Sequence, residues 1–212
     1  ACGPVVRFLG AGSSASTVLV PAFAKTRSRL RVIASASGLT GTDVGKKFGF
    51  EQSTTESNAV FGDPLVDVVV IATRHDSHAG YVVEGLKAGK HVFVEKPLAV
   101  RLDEIVSIEE AVQAAGGVHG TAPLLMVGFN RRFAPHVVRT KALLQTVRDP
   151  KSFVMTVNAG AIPPEHWTRD AASGGGRIIG EACHFIDLLR FLAGSSIVEH
   201  QVAVAKTADA CV

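Results

Sequence analysis

Cysteine is scarce in this chain, with three in 212 residues, at positions 2, 183 and 211. Three scattered thiols build neither a disulfide framework nor a C-x-x-C metal pair, and a reducing, cytoplasmic setting is the expectation that follows. Aromatic residues make up 6% of the chain, with one Trp and one Tyr. Charge of one sign is equally thin: 22 Lys+Arg against 19 Asp+Glu leave a formal net charge of +3. No basic run is longer than Arg131-Arg132. Nucleic-acid binding through a basic face and stacking platforms is therefore not expected. No apolar run approaches the ~18 residues of a membrane span, and neither a membrane segment nor a secretory leader is expected. An initiator methionine is also missing, and residues 203–212 read like a strand entering a turn. Both ends look cut, as in a fragment of a longer chain.

What remains is an ordinary globular balance, 47% hydrophobic and 19% charged. At roughly 150 residues per domain, the length fits one domain and a piece of another. Residues 5–9 form a compact apolar run, broken by one arginine and stopped at Gly10-Ala11-Gly12, which reads as a buried parallel strand. A helical pattern follows over 13–25, with Pro21 as a kink or break. Apolar strands are expected at 30–35, 66–73, 91–95 and 125–129. Helices are expected at 44–48, at 78–88 with Gly89 as its stop, and at 102–115. This alternation predicts an α/β fold: a doubly wound parallel sheet of Rossmann type. Near residue 130 the character changes. A charged helix over 139–148 and an alternating strand over 153–159 precede a Pro- and Gly-rich loop over 162–176. An apolar helix over 179–192, closed by Gly194, ends the readable pattern. The expected division is a dinucleotide-binding domain over 1–130 and an incomplete α+β domain over 131–212.

Chemistry concentrates first at Gly10-Ala11-Gly12-Ser13-Ser14-Ala15, a G-x-G-x-x-A between a strand and a helix. Gly10 permits the tight turn, Gly12 lets backbone approach a pyrophosphate, and Ala15 lets helix and strand pack closely. Phosphates then sit on the helix N-terminus, where N–H groups and the helix dipole favour anions. Gly10, Gly12 and Ser13 are thus cofactor-binding candidates. The acid expected about 20 residues on, for the ribose hydroxyls, is absent. Ser35 and Ser37 stand there instead, and either can hydrogen-bond a ribose hydroxyl or a 2′-phosphate. The choice between NAD and NADP stays open. Lys96 sits at the C-terminal end of a parallel strand, where such folds hold ligands, and Pro97 fixes the chain after it, with a cis bond as one way of doing so.

Several pieces together resemble the glucose–fructose oxidoreductase / inositol dehydrogenase (Gfo/Idh/MocA) family. They are Gly10-Ala11-Gly12, Ala72-Thr73 with His78, and the stretch from Ala88-Gly89-Lys90-His91-Val92 to Glu95-Lys96-Pro97-Leu98. Phe129-Asn130-Arg131-Arg132-Phe133, Gly174-Gly175-Gly176 and Cys183-His184-Phe185-Ile186-Asp187 complete the set in family order. The stretch from Gly174 to Glu181 is similar to that in two-part bacterial oxidoreductases, where such a unit follows a zinc-type alcohol-dehydrogenase-like half. The resemblance implies a nicotinamide-dependent oxidoreductase moving a hydride to or from a secondary alcohol carbon of a sugar, nucleotide-sugar or cyclitol. It implies that Lys96 holds the substrate hydroxyl, that Glu95 orders the cofactor end, and that Thr73, Arg74 and His78 line the cofactor. It also implies association of copies through the second-domain sheet.

In the family's Asp-x-x-x-His helix both side chains share one face. In this chain the histidine is His184, a candidate general acid/base, and the aspartate position is Gly180. Glu181 is adjacent but rotated by about 100 degrees on a helix. Arg132, His166 and Trp167 are candidate substrate contacts, and the 162–176 loop is a candidate lid. Asp187 and Arg190 read as an ordinary i,i+3 pair. His75, His91, His119, His136 and His200 show no ligand spacing and read as structural or exposed, so no metal is expected. Cys183 reads as a core residue. A second reading, a dinucleotide-binding module with lost catalysis in a larger chain, follows from Gly180 and from the serines after the second strand. Truncation further predicts an apolar sheet face or open edge near the C-terminus.

Overall fold

The computed structural model describes residues 3–56, 61–116 and 122–203. Cys2, Cys211, His119 and nearly all of the strand-like stretch at 203–212 lie outside them. Six strands, β1 (Val5–Leu9), β2 (Arg29–Ala34), β3 (Gln52–Thr54), β4 (Val68–Ile71), β5 (His91–Val94) and β6 (Leu125–Val127), form one sheet in the order β3-β2-β1-β4-β5-β6. Every neighbouring pair is parallel. The order reverses between β1 and β4, so the chain leaves the centre of the sheet in both directions. This is the Rossmann arrangement, and it opens a crevice at the C-terminal ends of those two strands.

Strands β1, β2, β4 and β5 are largely buried on both faces, which is why they read as apolar runs. Alternate residues feed separate cores. Val6, Phe8, Ile33 and Val70 pack on one face with Val20 and Val44. Leu9, Val69, Ile71, Val92 and Val94 pack on the other with Val82, Leu86 and Ile108. The helices covering these faces are α1 (Val20–Ala24), α2 (Gly38–Phe48), α3 (His78–Lys87) and α4 (Leu102–Ala115). Glu104 secures the start of α4 by accepting from the amides of Val100 and Arg101, at 3.0 and 3.1 Å. Gly49 and Gly89 follow α2 and α3 with φ of +77° and +70°, the left-handed geometry that stops a helix.

Pro21 acts differently from a simple break. Before it, residues Ala15–Leu19 widen into a π-helical turn, where the Val20 amide donates to Ala15 five residues back. The chain then continues as α1 with Pro21 in its first turn, where a missing N–H costs nothing. Three other expectations are corrected. Helix α2 starts at Gly38, six residues early, because its first turns are polar and glycine-rich and carry no apolar period. Strand β3 was not expected, since Gln52-Ser53-Thr54 earns its place by pairing with β2 rather than by hydrophobicity. The strand expected over 153–159 does not form, because no described segment supplies a ladder partner.

The chain divides into two compact units, residues 1–129 with 157–184, and residues 130–156 with 185–212. In the second, a 3-10 turn Asn130–Phe133 leads into α5 (Pro135–Gln145). Its other helix is α6 (Cys183–Ala193), whose first two residues belong to the first unit. Lys141 Nζ donates to the carbonyls of Phe191 and Leu192, at 2.7 and 3.3 Å, and so satisfies the last turn of α6. Asp187 pairs with both arms of Arg132, not with Arg190, since a guanidinium fork matches a carboxylate edge to edge.

Phe8 is fully buried, with the rings of Phe23 and Phe50 set edge-on at 5.3 and 5.6 Å. Phe8→Ala is expected to cost about 3–5 kcal/mol of stability. Urea unfolding followed by circular dichroism measures it, and a loss below ~1 kcal/mol would contradict this packing.

Candidate active site

The turn after β1 is set by two opposite demands on glycine. At Gly10 φ is +97°, its amide donates to the Ala34 carbonyl at 2.8 Å, and a Cβ would lie 2.3 Å from the Ala72 carbonyl oxygen. Only glycine fits. At Gly12 the position of a Cβ is open space, with no atom within 4 Å. That space is part of a cavity of about 640 Å³ lined by the 10–15 turn, Ser35, Thr73, Arg74, His75, His78, Glu95, Lys96 and Trp167. A second hollow of about 300 Å³ shares Gly10, Ser35, Thr73 and Arg74 with it and extends to Thr55, Asp76 and Tyr81. The helical segment 13–19 begins at this end, with Ser13, Ser14 and Ala15 in the cavity wall, and a helix N-terminus favours an anion.

At the other end the C-terminus of β5 delivers Glu95 and Lys96. Lys96 Nζ donates to the Gly180 carbonyl at 2.8 Å, four residues before His184 in the same helical run. The Lys96-Pro97 peptide bond is cis. Burial pushes the Glu95 carboxyl above its ordinary range, against the opposing pull of the Lys96 amide and charge. His78 is fully buried; Nδ1 donates to the Pro97 carbonyl at 2.7 Å, and Nε2 lies 3.2 Å from the Thr73 carbonyl. Those two carbonyls favour a charged ring, but burial is the larger influence and holds the imidazole below its ordinary value. His78 therefore ties the β4 and β5 exits together as a neutral group.

Trp167, in a 3-10 turn Trp167–Arg169, lines the cavity with the Arg74 guanidinium 5.5 Å from its ring centre. Gly10, Gly12, Ser13, Ser35, Thr73, Arg74, His78, Glu95 and Lys96 are thus brought together around one cavity. Four expected residues of the first unit are not among its walls. Ser37 precedes α2, with its hydroxyl 3.1 Å from that of Thr40. Pro97 contributes its carbonyl to His78. His166 is exposed, with Nδ1 2.8 Å from the Thr168 hydroxyl. His184 sits edge-on to Phe129 at 6.2 Å between ring centres. Arg132, expected to meet substrate, has its guanidinium committed to Asp187, whose carboxylate raises its pKa further. Glu181, beside the family's aspartate position, is taken by Arg177 at 2.9 Å. Sequence reasoning missed His75, which lines the cavity rather than the surface. Its signal was proximity to Thr73 and His78, not spacing to other histidines.

Fold, glycine turn and cavity define a dinucleotide-binding protein of the Rossmann class. The family model described as the oxidoreductase family with NAD-binding Rossmann fold, GFO_IDH_MocA, matches residues 6–121, and the chain belongs to that family. The chain is 30% identical to levoglucosan dehydrogenase of Pseudarthrobacter phenanthrenivorans, over 88% of this chain and 49% of that protein. It is 29% identical to inositol 2-dehydrogenase of Rhizobium meliloti, over 96% of this chain and 58% of that protein. A solved levoglucosan dehydrogenase in complex with NADH and levoglucosan superposes with a TM-score of 0.72 at 28% identity, covering 90% of this chain and 54% of that one. The chain therefore spans about half the length of the curated relatives it matches. The cavity fits the cofactor this family binds: a glycine cradle that a Cβ would fill, a helix N-terminus for the pyrophosphate, and a polar far end.

The two glycines yield opposite expectations. Gly12→Ala should leave the melting temperature nearly unchanged while weakening NADH binding at least tenfold, because its methyl enters the cavity. Gly10→Ala should lower the melting temperature itself. Thermal melts with fluorescence titration of NADH check both. His78 carries a pH signature. An unfolded chain takes up its proton near the ordinary value of about 6.5, whereas the folded ring resists it. The contribution is complete above that pH and is lost as pH falls toward the folded value, at up to ~1.4 kcal/mol per unit. Urea midpoints between pH 7.5 and 5.5 should fall less steeply in His78→Gln.

Proposed function

We propose that this chain carries the cofactor half of an NAD-dependent oxidoreductase acting on a secondary alcohol or ketone carbon of a sugar, nucleotide-sugar or cyclitol. The observation that carries the reading is one continuous cavity, with a glycine cradle and helix N-terminus at one end and Lys96 at the other. When bound, the nicotinamide accepts or returns the hydride. The chain's own part is to seat the pyrophosphate at residues 10–15, to wall the cavity with Thr73, Arg74 and Trp167, and to hold a hydroxyl oxygen at Lys96 Nζ. Lys96 already donates to a carbonyl oxygen there, and a substrate oxygen replaces or shares that contact. His184 serves as the proton-exchanging partner in the family pattern, and residues 131–212 open the substrate domain, in which His166 and Trp167 are the sugar contacts while Arg132 keeps its ion pair to Asp187.

Supporting this reading, curated relatives carry the names levoglucosan dehydrogenase, scyllo-inositol 2-dehydrogenase (NAD(+)) and 1,5-anhydro-D-fructose reductase. A cytoplasmic setting and self-association through the second-domain sheet belong to the same proposal. No helix among the described residues is long and apolar enough to cross a membrane. The second reading, a binding module without catalysis, draws on Gly180, which offers Lys96 a backbone carbonyl and no carboxylate.

Fluorescence titration with NADH and NADPH, followed by NAD-coupled assays with levoglucosan, myo-inositol and scyllo-inositol, tests the proposal. NADH binding and turnover of at least one polyol are expected, with Lys96→Ala lowering kcat/KM by 10²-fold or more and NADH affinity by less than fivefold. Binding with no turnover by any of them would favour the module.

A further inference from the structure

The second unit has a hollow of its own, of about 340 Å³, where the Asn130–Phe133 turn, α5 and the end of α6 meet. Its walls carry three cations, Arg132, Lys141 and Arg190, and no acidic side chain lines it. Two of those cations stand over one ring: Arg132 Cζ lies 5.6 Å and Lys141 Nζ 5.3 Å from the centre of Phe191. The ring itself lines the hollow, and Ser195 and Ser196 add hydroxyl donors at the rim.

The negative charge in reach does not balance this convergence. Asp187 answers Arg132. The C-terminus of α6 supplies about half an elementary charge, which Lys141 meets by donating to the Phe191 and Leu192 carbonyls. An ammonium has three N–H bonds, and these carbonyls take two. A Cβ at Gly194 would lie 2.9 Å from Lys141 Nζ, so glycine there leaves the ammonium uncovered on that side. Arg190, exposed in the last turn of α6, has no ion-pair or hydrogen-bond partner among the described residues. Roughly one and a half positive charges therefore share the hollow without a counter-charge among those residues. Like charges so placed repel, and a bound anion removes the repulsion.

We infer that this hollow is a phosphate-binding site, taking a phosphate dianion, free or as the monoester of a small molecule, with Arg190 as its principal ligand. A guanidinium fork matches two phosphate oxygens edge to edge, and the Arg190 fork is the one not already spent on a carboxylate. The volume sits at the lower end of the ~300–1,000 Å³ range of small-molecule sites, which leaves room beside the phosphate for a small organic group. The site lies wholly in the second unit and does not rest on the hydride-transfer reading.

Calorimetry and NMR of the arginine Nε–H groups test this on the full chain, with NADH present to fill the glycine turn. The probes are sodium phosphate, glucose 6-phosphate, glucose and sodium chloride at constant ionic strength. Glucose 6-phosphate is expected to bind saturably with a Kd of about 1 mM or below and to move the Arg190 signal, while glucose and chloride leave it in place. Tighter binding of the ester than of inorganic phosphate assigns the hollow to a phosphorylated molecule, and equal binding assigns it to the free ion. Arg190→Gln should weaken binding by about tenfold or more, with melting temperature and NADH affinity unchanged, and Arg190→Glu should abolish it. Arg139, exposed on α5 and outside the hollow, is the control. A response that never saturates, an equal loss in Arg139→Gln, or undiminished binding in Arg190→Gln overturns the inference. If NADH itself fails to bind, the cofactor reading fails and the Arg190 signal still decides this one.

Discussion

Everything in the site depends on how closely the backbone after β1 approaches the end of β4. A side-chain carbon at Gly10 would sit 2.3 Å from the Ala72 carbonyl oxygen, well inside contact distance. Because that carbon is absent, the chain can turn at φ +97° and the two strand ends can lie side by side. The crevice exists because the sheet order reverses there, and the backbone passes close to Ala72 because residue 10 has no side chain. The same omission recurs two residues later for a different purpose, since Gly12 leaves volume for a ligand rather than for the protein's own backbone. A third omission, at Gly180, leaves room for an imidazole.

The far end of the cavity is held by backbone carbonyls to a degree that side-chain patterns do not announce. His78 spans the carbonyls of Thr73 and Pro97, His75 reaches that of Gly174, and Lys96 reaches that of Gly180. Two of these bonds fix a side chain to a segment distant in sequence, 99 residues away for His75 and 84 for Lys96. Burying an imidazole is tolerable only when its donor is satisfied, and these carbonyls meet that condition. The result is a set of neutral rings and one amine in place of the carboxylate pairs that many acid–base sites use.

This explains which parts of the molecule were legible from the chain alone. The strands β1, β4 and β5 announced themselves because burial on both faces demands continuous apolar runs. Helix α4 was read to the residue because its capping carboxylate and its apolar period agree. The glycine turn, Lys96 and His78 were legible because their residue types are demanded by close approach, by position at a strand end, or by motif. What stayed hidden was set by partners. Gln52-Ser53-Thr54 becomes a strand because β2 has an open edge, and 153–159 does not because it has none among the described residues. His75 carried no spacing signal, and a glycine carbonyl as its partner carries no sequence signal at all.

The distribution of charge sharpens the chemical argument. Asp187 and Glu181, the two acids in the helical run that ends the first unit and begins the second, are both engaged by arginines, Arg132 and Arg177. Neither is therefore an idle carboxylate waiting to replace the side chain missing at 180. Glu95 remains near the cavity, but burial makes its charge costly and its oxygen already accepts from the Lys96 amide at 3.2 Å. With the acids accounted for in this way, the far end of the cavity is lined by nitrogen groups, Lys96 and two imidazoles among them. Of the two imidazoles on the cavity wall, His78 has its Nδ1 proton on one carbonyl and its Nε2 facing another. His75 in turn has its Nδ1 on the Gly174 carbonyl, so both rings are held by backbone rather than by carboxylates.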